Sequence, residues 1–191
     1  MRSILFLVLF LFVINSGAAE LEPYFELLKQ SGVNYEPDGA ICEQVAKLRY
    51  RAEYPEAQFL ITTGVEYSTG GQTLGELDIL VIDRATEKVV LVSEVKCWKN
   101  VEQALDKAKS QRQRFLWNLE KHPRQMQFAP SEDLQLKVSQ FDAATAYRSL
   151  SQMGGLEKGF DAELELSLSE LKQLRMQLLK CQAWGECQRP Q

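Results

Sequence analysis

Residues 75–98, GELDILVIDRATEKVVLVSEVKCW, combine strand-forming residues with charges that a buried strand does not normally carry. The segments at about 74–84 and 87–97 are rich in Val, Ile and Leu, residues that suit a half-buried or buried strand. Four charged residues interrupt the apolar run: Glu76, Asp78, Glu94 and Lys96. The sequence therefore predicts two neighbouring strands that hold acids and a lysine in an apolar frame.

The two strands are close enough in sequence to form a hairpin. A loop at 85–87 would place Asp78 directly opposite Glu94, with the two Cβ atoms about 5 Å apart on one face. Lys96, two residues after Glu94, would share that face because side chains alternate along a strand. A register shifted by one residue would separate the two acids onto opposite faces, so this prediction depends on the turn.

Two carboxylates side by side in apolar surroundings need a compensating cation. Lys96 supplies one positive charge, and a divalent metal would supply two more. Clustered carboxylate oxygens suit Mg²⁺ or Mn²⁺. The alternative is a surface hairpin whose charges are solvated or paired, and the Glu-x-Lys pattern recurs at Glu170 to Lys172 in a helical segment. The strand context, rather than the pattern alone, favours a metal site.

The pattern resembles the PD-(D/E)XK nuclease superfamily. Asp78 in Gly-Glu-Leu-Asp corresponds to the first acid and Glu94-Val95-Lys96 to the tripartite motif, although Leu77 rather than proline precedes Asp78. The resemblance implies an α/β fold with a restriction-endonuclease-like αβββαβ core and a mixed central sheet, to which the hydrophobic pattern of the chain adds an extra C-terminal strand and helix. It covers about 38–121 and says little about 125–191.

The resemblance also implies a function, the Mg²⁺- or Mn²⁺-dependent hydrolysis of phosphodiester bonds in nucleic acid, with DNA the expected substrate. The catalytic residues would be Lys96, Asp78 and Glu94. The metal ligands would be Asp78, Glu94 and the backbone carbonyl of Val95, with Glu43 on the preceding helix as a further candidate. A solvated helix charge is the alternative for Glu43.

A weaker resemblance lies on the helix predicted for 100–121. The segment from Gln111 to Phe115 resembles the Gln-x-x-x-Tyr element of RecB-like nucleases, with Phe in place of Tyr. The same helix belongs to a local basic cluster. The candidate nucleic-acid-binding residues are Gln111, Arg112, Arg114 and Lys107. The alternative is a solvated helix face.

The sequence leaves two other interpretations of these acidic residues open. One is a non-catalytic exported protein that binds nucleic acid or a protein partner on a nuclease-like fold, because a fold does not fix chemistry. The other is a different metal-dependent hydrolase. The single histidine, His122, excludes both a His-metal nuclease and a Ser-His-Asp hydrolase.

The first residues of the 191-residue chain read as a secretory signal peptide at 1–19, with cleavage near Ala18 or Ala19. Arg2 is followed by an apolar run shorter than the about 20 residues that span a bilayer, although an uncleaved anchor is the alternative. The sequence therefore predicts a secreted or periplasmic protein without stable membrane association after cleavage, and one domain at 20–191. The net charge is −4, so nucleic acid would require a local basic surface.

Four cysteines follow the signal peptide: Cys42, Cys97, Cys181 and Cys187. Export makes disulfides plausible, and three pairings are possible. The pair Cys181–Cys187 would close the shortest loop and leave Cys42 and Cys97 to each other. The spacing fits no zinc motif.

Hydrophobic spacing and capping signals place the remaining elements. The predicted helices are a short one at 21–30, 37–54 with Asp38 as N-cap, 100–121 with Asn100 as N-cap, 143–152 and a C-terminal helix from about 167. The further predicted strands are 57–68, 134–138 and 160–167.

Overall fold

A computed structural model describes residues 18–129 and 135–190 of the chain. Residues 1–17 of the predicted signal peptide lie outside this part. Within the described ranges, no helix combines the length and the apolar character that crossing a bilayer requires.

The described chain contains four α-helices and six strands. The helices are α1 (Ala18–Leu28), α2 (Ala40–Glu53), α3 (Val101–Lys121) and α4 (Leu168–Trp184). The strands are β1 (Phe59–Thr69), β2 (Gln72–Asp83), β3 (Val89–Val95), β4 (Met126–Phe128), β5 (Ala146–Ser151) and β6 (Ala162–Glu163). Two short 3₁₀ turns, Val138–Gln140 and Leu156–Lys158, lie between β4 and β6.

The six strands form one mixed sheet in the order β4-β1-β2-β3-β5-β6. Strands β1, β2 and β3 pair antiparallel, whereas β5 pairs parallel to β3 and β6 parallel to β5. A parallel neighbour needs a crossover, and the chain between β3 and β5 supplies it with helix α3. The predicted α/β class with a mixed sheet is therefore confirmed.

Alternating side chains of β2 enter two different cores. Ile79 and Val81 pack with residues of α1, α2 and α4, whereas Leu80 and Ile82 pack with Phe115 of α3. This alternation explains why β2 reads as a continuous apolar run, because helices cover both of its faces.

The β2–β3 register in the half of the hairpin that carries the acids is the predicted one. Ile79 pairs with Ser93 and Val81 with Leu91, so the next opposed position brings Asp78 to Glu94. The apolar residues on both strands fix this register, since a slip of one residue would exchange the two cores.

The turn of the hairpin differs from the predicted loop at 85–87. Asp83 donates its backbone N–H to the carbonyl of Lys88 at 2.9 Å, so the loop comprises 84–87. A bulge just before Ile82 absorbs the extra residue. The two deviations cancel, which is why the register beyond the bulge agrees with the prediction.

The helix predicted at 143–152 is wrong, because this segment contains strand β5. Its backbone pairs with β3 from Leu91 to Val95, and this tertiary pairing overrides a weak local preference for helix. Strand β5 lies between β3 and β6 in the sheet, and its residue Leu150 is fully buried.

Three smaller predictions also need correction. The strand predicted at 134–138 is absent from its described part, where Val138 begins a 3₁₀ turn, and Leu134 lies outside the described residues. The strand predicted at 160–167 is reduced to β6. Asp38 does not cap α2, because Gly39 holds the N-cap position and Asp38 instead pairs with Arg175 at 3.1 Å.

Capping at two other helices follows the sequence. The Asn100 side chain accepts the N–H of Gln103 at 3.0 Å, which begins α3 as predicted. Ser167 and Glu170 form a reciprocal capping box at the start of α4.

The four cysteines form two disulfides, Cys42–Cys97 and Cys181–Cys187. The first ties α2 to the segment directly after β3, and the second closes a short loop at the end of α4. Two disulfides fit a protein that matures in an oxidising compartment.

Candidate functional site

The candidate site lies where β2 and β3 stop pairing. The last pair of the ladder is Ile79 with Ser93. Beyond it, the Asp78 carboxylate, rather than a backbone carbonyl of β2, accepts a backbone N–H of β3. Asp78 Oδ2 accepts the backbone N–H of Val95 at 2.7 Å and also a hydrogen bond from the Lys96 ammonium. Asp78 is only 5% exposed, so this carboxylate is held rigidly between the two strands.

The Lys96 ammonium is surrounded by three oxygen atoms. It contacts Asp78 Oδ2, lies 3.2 Å from the carbonyl oxygen of Val95 and lies 3.6 Å from Glu94 Oε2. These are the oxygens that the resemblance to nucleases nominates as metal ligands. The structure thus brings Asp78, Glu94, Val95 and Lys96 together around one point.

Strand β5 fixes the backbone on which Lys96 stands. Lys96 donates its N–H to the carbonyl of Leu150 at 2.9 Å, and the Ser151 hydroxyl donates to the carbonyl of Lys96 at 2.7 Å. The disulfide of Cys97 adds a covalent tie to α2. Sequence reasoning missed Ser151, because its segment was predicted as helix; the β-compatible run from Ala146 is the signal that could have revealed it.

Acids outnumber the lysine at this site. Burial and then the neighbouring Asp78 carboxylate raise the pKa of Glu94, while Lys96 opposes the shift. Burial, Asp78 and Glu76 raise the pKa of Glu43 to about 7. Four carboxyl groups therefore share the field of the Lys96 ammonium group and, at Glu94, of the Arg114 guanidinium, and the site is short of positive charge.

Glu43 approaches the site from α2, as the resemblance suggests. Its pKa responds to Asp78, Glu76 and Lys96, which places its carboxyl group within their electrostatic reach. The adjacent Cys42–Cys97 disulfide joins the residue before Glu43 to the residue after Lys96, and so holds the helix against the hairpin.

Glu76 is a site residue that the nuclease pattern does not include. It is exposed on β2, and its pKa is raised by partial burial, by Asp78 and by Glu66, its cross-strand partner on β1. Its position two residues before Asp78 was the available signal, since both side chains project from the same face of an undistorted strand.

The donor set is compatible with a divalent cation. Glu94 Oε2 is buried and has no hydrogen-bond partner among the described residues, so it remains available as a ligand. In the same part of the chain, no three Asp, Glu, His or Cys side chains form a group that could hold a metal by themselves. Two carboxylates and a backbone carbonyl still suit Mg²⁺, which commonly keeps several waters.

Helix α3 brings one of its predicted binding residues towards the site. The Arg114 guanidinium lowers the pKa of Glu94 and of Tyr67, which places it near both groups. Arg112 instead lies over the ring of Tyr147, 5.5 Å from the ring centroid, and Lys107 is exposed on the same helix.

The two ends of the Gln-x-x-x-Tyr-like element have different surroundings. Phe115 is buried in the core and packs against Tyr67 with the ring centroids 5.2 Å apart, so its role is structural. Gln111 Oε1 is buried and has no hydrogen-bond partner among the described residues. Only Gln111 of this pair remains a candidate for ligand contact.

No family model matches the chain, and neither a curated protein nor a solved structure matches it.

Proposed function

We propose that this protein is an exported nuclease that hydrolyses phosphodiester bonds of nucleic acid, DNA foremost, with Mg²⁺ or Mn²⁺ as cofactor. The observation that carries the proposal is the convergence of Asp78, Glu94, the Val95 carbonyl and Lys96 at the end of the β2–β3 ladder. The surplus of carboxyl groups at this point supports a site that takes up a cation.

The order of elements supports the same proposal. Apart from the short edge strand β4, which lies between α3 and β5 in the chain, the elements α2, β1 to β3, α3 and β5 follow the αβββαβ order of the PD-(D/E)XK superfamily, and the sheet is mixed. The acids of β2 and β3 meet at one end of this sheet, which is the arrangement that the resemblance implies.

The residues of the chain have separable roles in the proposed reaction. Asp78, Glu94 and the Val95 carbonyl would hold the metal ion, which supplies Lewis-acid polarisation of the phosphoryl group and acidification of water. Lys96 orients the attacking water and offsets negative charge that grows in the transition state. Asp78 is oriented in advance by the Val95 N–H, so little reorganisation is needed on substrate binding.

Arg114 is the residue of α3 best placed to hold a substrate phosphate. It is exposed, and its charge reaches Glu94. A guanidinium can bind a phosphate through two parallel hydrogen bonds without reading any base. Replacement of Arg114 by alanine should therefore weaken substrate binding more than chemistry.

The test is cleavage of supercoiled plasmid, linear single-stranded DNA and RNA by the mature, oxidised protein with Mg²⁺, Mn²⁺ or EDTA. Asp78→Asn and Glu94→Gln keep the size of each side chain and remove a ligand charge, so both should abolish cutting. Lys109→Ala, which removes an exposed charge on α3, is the matched control and should cut normally. Cutting that persists in EDTA or in Asp78→Asn would refute the proposed site.

A second candidate is the non-catalytic binding protein, and one observation favours it. The Lys96 ammonium already contacts the Asp78 and Glu94 carboxylates, which partly neutralises the cluster without a metal. On this alternative the folded protein cuts no substrate with either metal, yet it binds nucleic acid or a protein partner equally well in EDTA.

A further inference from the structure

A cavity of about 240 Å³ lies between the start of α2, the segment that directly follows Lys96 and the start of α4. Its floor is apolar, since Ile41 and Leu171 line it and are almost fully buried. Its rim carries Trp98, which is 43% exposed, with Lys99 and Lys172. A flat aromatic ring and two cations over an apolar floor suit a ligand that is both aromatic and anionic.

The segment that carries Trp98 is fixed at three successive residues. The Ser151 hydroxyl binds the carbonyl of Lys96, the disulfide holds Cys97, and the buried side chain of Gln152 donates to the carbonyl of Trp98 at 2.9 Å. Trp98 is therefore an exposed aromatic on a rigid support. Trp98 follows Lys96 by two residues, so their Cα atoms are at most about 7 Å apart.

Two of the three cations around the cavity are available to a ligand. The Arg175 guanidinium is already engaged by the carbonyl of Tyr35 at 2.7 Å and by Asp38 at 3.1 Å. Within the described ranges, none of the ion pairs involves Lys99 or Lys172, and both lysines are exposed. Strongly hydrated lysine ammonium groups act as point charges for phosphate.

We propose that this cavity is a nucleotide subsite of the nuclease proposed above, on which the proposal rests, and that the substrate is single-stranded. The base stacks on Trp98 over the apolar floor, and Lys99 and Lys172 bind the adjacent phosphate. A base inside a duplex is already stacked and paired, so only an unpaired base can enter without a cost in unstacking. Because every base has an aromatic face, the subsite selects strandedness rather than sequence.

Binding is measured in EDTA so that it does not depend on catalysis. In a Trp117→Phe/Trp184→Phe background, Trp98 is the remaining tryptophan, and its fluorescence should be quenched by oligothymidylate and by oligouridylate. A duplex of the same length should quench it weakly. Comparison of the affinities for oligothymidylate and oligouridylate shows whether the subsite distinguishes deoxyribose from ribose.

The variants are compared by the fluorescence anisotropy of a labelled oligothymidylate. Trp98→Ala should weaken binding roughly 5- to 150-fold, the loss of one stacked base, whereas Trp98→Phe should keep most of the affinity. Trp117→Ala, an exposed tryptophan on α3, is the matched control and should bind as the wild type does.

The salt dependence tests the phosphate contacts. Lys99→Ala and Lys172→Ala should each reduce the slope of log K against log salt by about 0.7, the value for one phosphate contact on a single strand. Lys180→Ala removes the same charge about 12 Å further along α4 and should leave the slope unchanged.

The outcomes separate this proposal from the proposed function. Cleavage that is unaffected by Trp98→Ala, together with unchanged affinity, overturns the subsite and leaves the nuclease standing. Trp98-dependent binding of single strands without any cleavage overturns the nuclease and leaves the cavity as a binding site. Equal affinity for duplex and single strands, or no quenching of Trp98, also overturns the subsite.

Discussion

Removal of the Lys96 charge should destabilise the metal-free protein, whereas removal of the Asp78 charge should not. The relevant variants are Lys96→Met, which keeps most of the apolar stem, and Asp78→Asn, which keeps the shape of the side chain. The two substitutions act on the same contact, so a simple ion-pair description would expect similar losses. The surplus of acids at the site predicts a large loss of stability for Lys96→Met and a small one for Asp78→Asn.

The expected magnitude follows from burial. The side chains of Lys96, Asp78 and Glu94 are 11%, 7% and 4% exposed, so Lys96→Met leaves the buried Asp78 carboxylate, with Glu94 beside it, without its cation. Breaking a buried ion pair in this way costs about 3–5 kcal/mol. Asp78→Asn leaves the pair of Lys96 with Glu94, and the carboxamide oxygen can still accept the Val95 N–H. Its cost should remain within about 1 kcal/mol.

The assay is urea unfolding in EDTA near neutral pH, followed by tryptophan fluorescence, with Lys109→Met as the control for an exposed lysine. The control should change the free energy of unfolding by no more than about 0.5 kcal/mol. The loss in Lys96→Met should be larger above about pH 8 than at neutral pH, because burial raises the pKa of Glu94 to about 8 and the Lys96 charge stabilises only its ionised form. Equal losses in Lys96→Met and Asp78→Asn would refute the description of the site as short of positive charge.

Two further predictions concern the disulfides and pH. The two disulfides close loops with sequence separations of 55 and 6, and the longer loop restricts the unfolded chain more. Cys42→Ala/Cys97→Ala should therefore lose about 4 kcal/mol of unfolding free energy and Cys181→Ala/Cys187→Ala about 2 kcal/mol. Urea unfolding measures both losses, and equal losses would contradict this ranking. The metal-free protein should lose stability as pH rises through about 7, because the folded state raises the pKa of Glu43 and so binds its proton more tightly than the unfolded state does. Mg²⁺ should therefore raise Tm more at alkaline than at acid pH, since its carboxylate ligands must be ionised, and a thermal shift that does not vary with pH would count against carboxylate ligation.

The elements that the sequence predicted well are those in which pattern and burial agree. The hairpin register follows from two runs of apolar residues that each face a core, so a slip would be costly on both faces. Helix α3 follows from its Asn100 cap and its spacing. The alternation at β2 and β3 also located Asp78, Glu94 and Lys96 correctly relative to one another.

The predictions that failed depend on partners distant in sequence. Strand β5 forms because its backbone pairs with β3, and no local feature of residues 143–152 indicates this pairing. Asp38 caps no helix, because Gly39 holds the N-cap position of α2, and Asp38 pairs with Arg175, far along the chain. The roles of Ser151 and of the cavity beside Trp98 depend on the same long-range contacts, so a local pattern could not reveal them.

The apolar strands that make the hairpin recognisable also explain its charges. Burial in β2 and β3 gives Asp78 and Glu94 a fixed position, but it also makes their charges costly, and one lysine offsets only part of that cost. Apolar residues at these positions would give a more stable hairpin, since replacing buried ionic groups by well-packed apolar ones is often stabilising. The cluster is therefore better explained by a ligand that it binds than by the stability of the sheet, and a divalent cation is the ligand that its charge and its oxygen donors suit.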